Sequence, residues 1–158
     1  MKPPRTPSRL LLALAAIALA GCAGPGLKPP TRADVVLHAT TSVNPDAGGR
    51  PSPLVLSVYE LKASGRFTAA DFLSLHERAD QTLATDLVRR EEVLLAPGES
   101  RTLNLRLQDG SRYLGITGGF RHYGEARWRA LAAIPEGTTS RVVVRADTLS
   151  VNVESAGP

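Results

Sequence analysis

Beyond residue 32, apolar and polar positions alternate, with turn residues at short intervals. Ala33–Ser42 (ADVVLHATTS) alternates and is rich in β-branched residues, so it predicts a strand. Val43–Pro53 (VNPDAGGRPSP) interrupts the pattern with three prolines and two glycines and predicts a loop. Leu54–Leu61 is the next strand, with Leu54, Leu56 and Val58 on one face and Val55, Ser57 and Tyr59 on the other. The period then changes. Phe72, Leu75, His76 and Ala79 fall at i, i+3, i+4 and i+7, the spacing of a short amphipathic helix. Thr68-Ala69-Ala70-Asp71 has capping-box spacing with Asp in place of Glu. Asp80–Thr85 adds a second helical turn, so a helical insertion is expected at about 68–85.

Strands resume at Leu87–Leu95, and Ala96-Pro97-Gly98-Glu99 predicts a type II turn. Arg101–Leu107 places Leu103, Leu105 and Leu107 on one face. Asp109-Gly110 is a hairpin signal. Arg112–Arg121 is a strand whose Gly115, Gly118 and Gly119 mark a bulge or a close backbone approach. Ala126–Ile134, Arg141–Ala146 and Thr148–Val153 complete the set. About eight short strands without long helices between them predict an all-β, antiparallel two-sheet sandwich over 33–154, with a tail at 155–158. No internal repeat points to a solenoid or propeller.

The first 21 residues change the chemistry of the rest. Lys2, Arg5 and Arg9 precede Leu10–Ala20, an uninterrupted apolar run. The run is too short for a membrane span, which needs about 20 residues, and reads as a signal peptide over 1–21. Leu19-Ala20-Gly21-Cys22 resembles the lipobox of bacterial lipoproteins, which implies cleavage before Cys22 and acylation of its thiol and new amino group. Asp after such a cysteine retains a lipoprotein at the inner membrane, so Ala23 implies outer-membrane delivery, with the body facing the periplasm. Residues 22–32, rich in Pro and Gly, form a flexible tether. Loss of the leader takes Lys+Arg from 19 to 16 against 15 acids, a net charge of +1. A near-neutral body without a concentrated basic face carries no footprint for nucleic acid. One cysteine excludes an intrachain disulfide and paired-cysteine zinc sites.

Little in the chain assembles into an active site. His38, His76 and His122 lie on different elements, none at metal-ligand spacing from another. No nucleophile elbow, S-x-x-K or dinucleotide fingerprint occurs. Glu91 and Glu92 are adjacent in a strand and point to opposite faces, so they read as a charged edge rather than a carboxylate pair. Trp128, between Arg127 and Arg129, reads as core packing with its flanking arginines in solvent. No catalytic residue, metal ligand or cofactor is assigned. The loop at 43–53 has its exit restricted by Pro51 and Pro53 and presents a fixed shape suited to partner recognition.

Val43–Glu60, Phe67–Leu75 (FTAADFLSL), Leu95–Ser100 (LAPGES), Tyr113–Arg121 and Ala126–Ala130 (ARWRA), taken with the lipobox and in this order, resemble the type VI secretion system lipoprotein family TssJ, also called VasD or SciN. The resemblance implies a transthyretin-like β-sandwich with a small helical insertion and no enzymatic activity. It implies acylation at Cys22 and residence in the outer membrane. The implied partner is the periplasmic C-terminal region of the inner-membrane protein TssM, and through it TssL, with no small-molecule substrate. The family's partner loop maps onto Asn44, Pro45, Asp46, Gly48, Gly49, Arg50, Pro51 and Ser52, where Ala47-Gly48-Gly49 gives added backbone freedom. Fold alone does not settle function. The competing expectation is a periplasmic carrier that binds a small hydrophobic ligand.

Overall fold

The computed structural model describes residues 28–156. Eight strands follow one another: β1 (Arg32–Ala39), β2 (Leu54–Leu61), β3 (Leu87–Leu95), β4 (Ser100–Arg106), β5 (Tyr113–Gly118), β6 (Arg129–Ala133), β7 (Thr139–Asp147) and β8 (Ser150–Ala156). They form two four-stranded sheets, ordered β4-β1-β7-β8 and β3-β2-β5-β6. The period-2 alternation explains the two layers. Ala33, Val35, Leu37 and Ala39 of β1 and Val142, Val144 and Ala146 of β7 face Leu54, Leu56, Val58, Leu114 and Ile116 of the second sheet in one buried core. Full burial of each larger aliphatic side chain contributes about 1.5–3 kcal/mol relative to exposure.

The first sheet is not wholly antiparallel. β1 pairs antiparallel with β4 but parallel with β7, from Arg32 opposite Thr139 to Ala39 opposite Ala146. Alternation sets which face of a strand is buried and says nothing about the partner or its direction. Nor does Asp109-Gly110 close a hairpin, because β4 and β5 lie in different sheets. The turn at Ala96–Glu99 also crosses between sheets. Gly98 there has φ +81°, which a type II turn requires, and its amide donates to the Ala39 and Thr40 carbonyls. The backbone needs of a tight turn are the same whichever sheet receives the chain.

The insertion begins earlier than the periodicity indicates. It comprises α1 (Gly65–Ala69), α2 (Phe72–Glu77), α3 (Ala79–Leu83) and a 3₁₀ turn over Ala84–Asp86. Its cap is displaced by three residues. Thr68 lies inside α1, where its hydroxyl donates to the Ser64 and Gly65 carbonyls. Asp71 is itself the N-cap of α2 and accepts from the Ser74 amide at 2.8 Å and the Ser74 hydroxyl at 2.7 Å. These helices cover the outer face of the second sheet, where Tyr59, Leu61, Phe67, Leu75, Ala79 and Leu83 form a second core. Gly115 makes room for it, since a Cβ there would lie 2.7 Å from the Phe67 ring.

β6 is shorter than the expected 126–134, and Trp128 precedes it. Arg127 exchanges backbone bonds with Leu149 and Val151 across the sandwich, which draws the chain off β5 and ties the two sheets at one side. Trp128 is half-buried, with the Phe72 ring edge-on at 5.3 Å. Arg129 is not a solvent-facing flank. Its guanidinium lies 4.8 Å from the Trp128 ring centre and donates to the Phe67 and Ala70 carbonyls, clamping α1 to the sheet.

The strand directions give the sandwich two unlike ends. The chain enters at the start of β1, beside the β4–β5 and β6–β7 connections. The β1–β2, β3–β4, β5–β6 and β7–β8 connections gather at the other end. At about 3.3 Å per residue, the eight residues of β1 separate the ends by about 26 Å.

Candidate functional site

The connection from β1 to β2 rises from the far end and is built around two polar side chains. Asn44 is buried, 3% exposed, and sits at φ +50°, a conformation asparagine tolerates. Its side-chain amide donates to the Pro53 carbonyl at 2.8 Å and accepts from the Arg121 amide at 2.9 Å. Its own backbone amide donates to the Thr148 carbonyl. One residue therefore joins the β1–β2, β5–β6 and β7–β8 connections. Thr40 donates to Asp147, and Thr148 bonds Ser42, across the same junction.

Asp46 organises the tip. One carboxylate oxygen accepts from the Gly48 amide at 2.8 Å and the Arg50 amide at 3.0 Å. The other pairs with the Arg50 guanidinium at 2.9 Å. The backbone closes the same turn, with the Asp46 amide on the Arg50 carbonyl and the Gly49 amide on the Asp46 carbonyl. The freedom expected of Ala47-Gly48-Gly49 is thereby taken up, and Gly49 at φ +77° is where the turn uses a glycine. The Arg50 amide first, then the Arg50 guanidinium and the Gly48 amide, hold the Asp46 carboxyl below its ordinary value.

The eight candidate loop residues divide by exposure. Gly48, Gly49, Arg50 and Pro51 are exposed, Pro45 and Asp46 half-buried, and Asn44 and Ser52 buried. The Arg50 side chain is 85% exposed and forms the charged tip. Asn44 and Ser52 act by holding the loop, Ser52 through its amide on the Val43 carbonyl. The structure adds Arg121 to this end. Its exposed side chain lies near enough to Asp46 to help depress that carboxyl. No sequence signal marks Arg121, because Asn44 and Arg121 stand 77 residues apart.

Cys22 and the signal peptide over 1–21 lie outside the described residues. The end of the expected tether belongs to the body. Thr31 is buried, its carbonyl accepts from the Leu107 amide and its hydroxyl from the Gly137 amide, and β1 starts at Arg32. No described helix is long and apolar enough to cross a membrane. The histidines stay apart: His38 bonds Ser100, His76 stacks on Phe72, and His122 is exposed in the β5–β6 connection. Glu92 turns to Arg90 and Ser57, while Glu91 lies on the opposite face of the edge strand β3. A cleft of about 400 Å³ between β3 and β4 is lined by Glu91, Glu92, Arg101 and Thr102 together with Val93, Leu94 and Leu103.

Residues 31–152 match a family described as "Type VI secretion lipoprotein, VasD, EvfM, TssJ". Among solved structures the chain is similar to the T6SS lipoprotein TssJ1 from Pseudomonas aeruginosa, with 35% identity and a TM-score of 0.79, over 82% of this chain and 99% of that one. It shares the fold of Serratia marcescens Lip, described as a membrane bound component of the Type VI Secretion System, with 24% identity, TM-score 0.74, and 79% and 98% coverage. A chain in the structure described as "T6SS protein TssM C-terminal domain (869-1107) from EAEC" also has this fold, at 20% identity, TM-score 0.65, and 78% and 98% coverage. No curated protein matches the sequence.

Proposed function

For a chain that belongs to the type VI secretion lipoprotein family, we propose an anchor in which acyl chains on Cys22 hold the outer membrane and the β1–β2 loop holds the periplasmic C-terminal region of TssM. The observation that carries this is the polarity of the sandwich. The chain enters at one end, and the closed Asp46–Arg50 turn projects from the other, about 26 Å away. A protein that joins a bilayer to a partner needs its two attachments on opposite ends. Three features support the loop as the binding surface: it is held by its own bonds, it is exposed at Arg50 and Pro51, and buried Asn44 ties its base to the two neighbouring connections. A preformed loop loses little entropy on binding. TssM is the partner that the resemblance to this family implies. TssM in turn connects the anchor to TssL.

The test is a pull-down of the acylated protein against the TssM periplasmic C-terminal region encoded with it. Arg50→Ala, which leaves the backbone bonds to Asp46 intact, lowers affinity by about tenfold, as loss of an interface arginine typically does. Unchanged affinity after replacing the whole of Asn44–Ser52 places the partner elsewhere and ends this reading of the loop. Cys22→Ser removes the protein from the membrane fraction and abolishes secretion while the body still folds. Normal secretion by that variant would sink the anchor.

A further inference from the structure

At the end where the chain enters, the solvent face of the first sheet carries Arg32, Arg106 and Arg141, all exposed. Arg32 and Arg106 stand directly opposite each other in antiparallel register. Like charges so placed repel, and the cross-strand position normally favours an opposite charge or a neutral partner. Arg141 lies on the other neighbour of β1, opposite Asp34, with exposed Glu154 diagonal to it on β8, so two carboxylates flank three guanidiniums. Among the described residues none of the three arginines forms an ion pair. Elsewhere on the strands Arg90, Arg101 and Arg145 pair with Glu92, Glu99 and Asp147, and Arg129 bonds the Phe67 and Ala70 carbonyls. The acids in the neighbouring connections lie elsewhere: Glu136 pairs with Lys28 and Arg112, and Asp109 shares a cleft with Lys28 and Thr31.

The place of the corner identifies what it meets. Thr31 is fixed by the Leu107 and Gly137 amides, and Lys28 stands 3.7 Å from Glu136, so the chain is already part of the body there. Six residue steps separate Cys22 from Lys28, a reach of at most about 20–22 Å. With acyl chains on Cys22, Lys28 is kept within about 20–22 Å of the lipid surface. We propose that Arg32, Arg106 and Arg141 dock this corner onto anionic phospholipid headgroups and so set the orientation of the anchored body. The inference rests on the anchor reading above. Guanidinium groups match phosphate oxygens in pairs. Each cation near an anionic bilayer adds about fivefold to surface association, and the attraction fades beyond about 8 Å at physiological salt. The cross-strand repulsion of Arg32 and Arg106 is relieved when a phosphate stands between them.

The acylated protein in vesicles tests this. Asn104 lies on the same face between the arginine pair and Thr102. With Cys22 acylated, Asn104→Cys supplies the single reactive thiol for a spin label. A nickel-chelating headgroup lipid should relax that label in vesicles of phosphatidylethanolamine with phosphatidylglycerol. A label at Thr148, at the far end, should be unaffected. R32Q/R106Q/R141Q should remove the relaxation at Asn104, as should phosphatidylethanolamine alone or high salt. Arg106→Gln by itself should weaken it about fivefold and leave the thermal midpoint at or above the parent value, because it relieves a like-charge pair. That separates lost docking from lost folding. Equal relaxation in parent and triple variant, or with and without the anionic lipid, overturns the proposal. A chain that floats with vesicles while Asn104 stays away from headgroups overturns the orientation alone. A chain that fails to float overturns the anchor, and the orientation with it.

Discussion

Asn44 shows how one buried side chain governs the loop end. Asn44→Ala strands the Pro53 carbonyl and the Arg121 amide and leaves alanine at φ +50°. The expected cost is about 2–3 kcal/mol, measured by urea unfolding; a change below about 0.5 kcal/mol would show that water replaces both bonds. Asp46 gives the same end a pH dependence. Its folded-state value lies below the unfolded one, chiefly because of the Arg50 amide. Its contribution is therefore complete above the ordinary aspartate value of about 3.9 and is lost as pH falls through the depressed folded value. In an acid titration by NMR, the Gly48 and Arg50 amide signals should shift together with a midpoint under about 3.9. A midpoint at or above that value contradicts the hydrogen-bonded turn.

At the scale of elements, the helical insertion is a lid fastened to the second sheet at three points. Phe67 sits over Gly115, Tyr59 donates to the Leu75 carbonyl, and Arg129 holds the end of α1. Gly115→Ala drives a methyl group into the Phe67 ring and is expected to cost about 1–3 kcal/mol. Removing the ring relieves the clash, so Gly115→Ala in a Phe67→Ala background should cost clearly less than in the parent. Additive costs in that double-mutant cycle would mean the two residues do not meet. The glycine's role was legible in part: a glycine inside a strand marks a close approach, but only packing shows that the approaching group is Phe67.

For the whole molecule, the order of the strands gives the sandwich two unlike ends. β1 starts with Arg32 at the entry end and finishes with Ala39 at the end that carries the Asp46 loop. The parallel β1–β7 pair seats β1 between β4 and β7 and so makes the first strand an interior one. β1 is therefore hydrogen-bonded on both sides along its length. The chain also crosses between sheets at Ala96–Glu99 and Asp109–Gly110, so the two layers are joined by covalent connections as well as by the core.

What the sequence determined by itself is what is local. Alternation placed Leu54, Leu56 and Val58 in the core and Tyr59 on the other face, because the period of a strand is independent of its neighbours. Pro97-Gly98 and the helical period near Leu75 were legible for the same reason. The tertiary structure decided what depends on distant partners. It chose β7 as a parallel neighbour for β1, sent Asp109-Gly110 across the sandwich, and gave the α2 cap to Asp71 because α1 already held Thr68. It also buried Asn44 within the loop where the chain pattern shows only a polar turn residue, since the carbonyl and amide that satisfy it arrive from Pro53 and Arg121. Covalent geometry and side-chain period act over a few residues, whereas strand pairing and polar satisfaction are settled only when the whole chain has closed around its core.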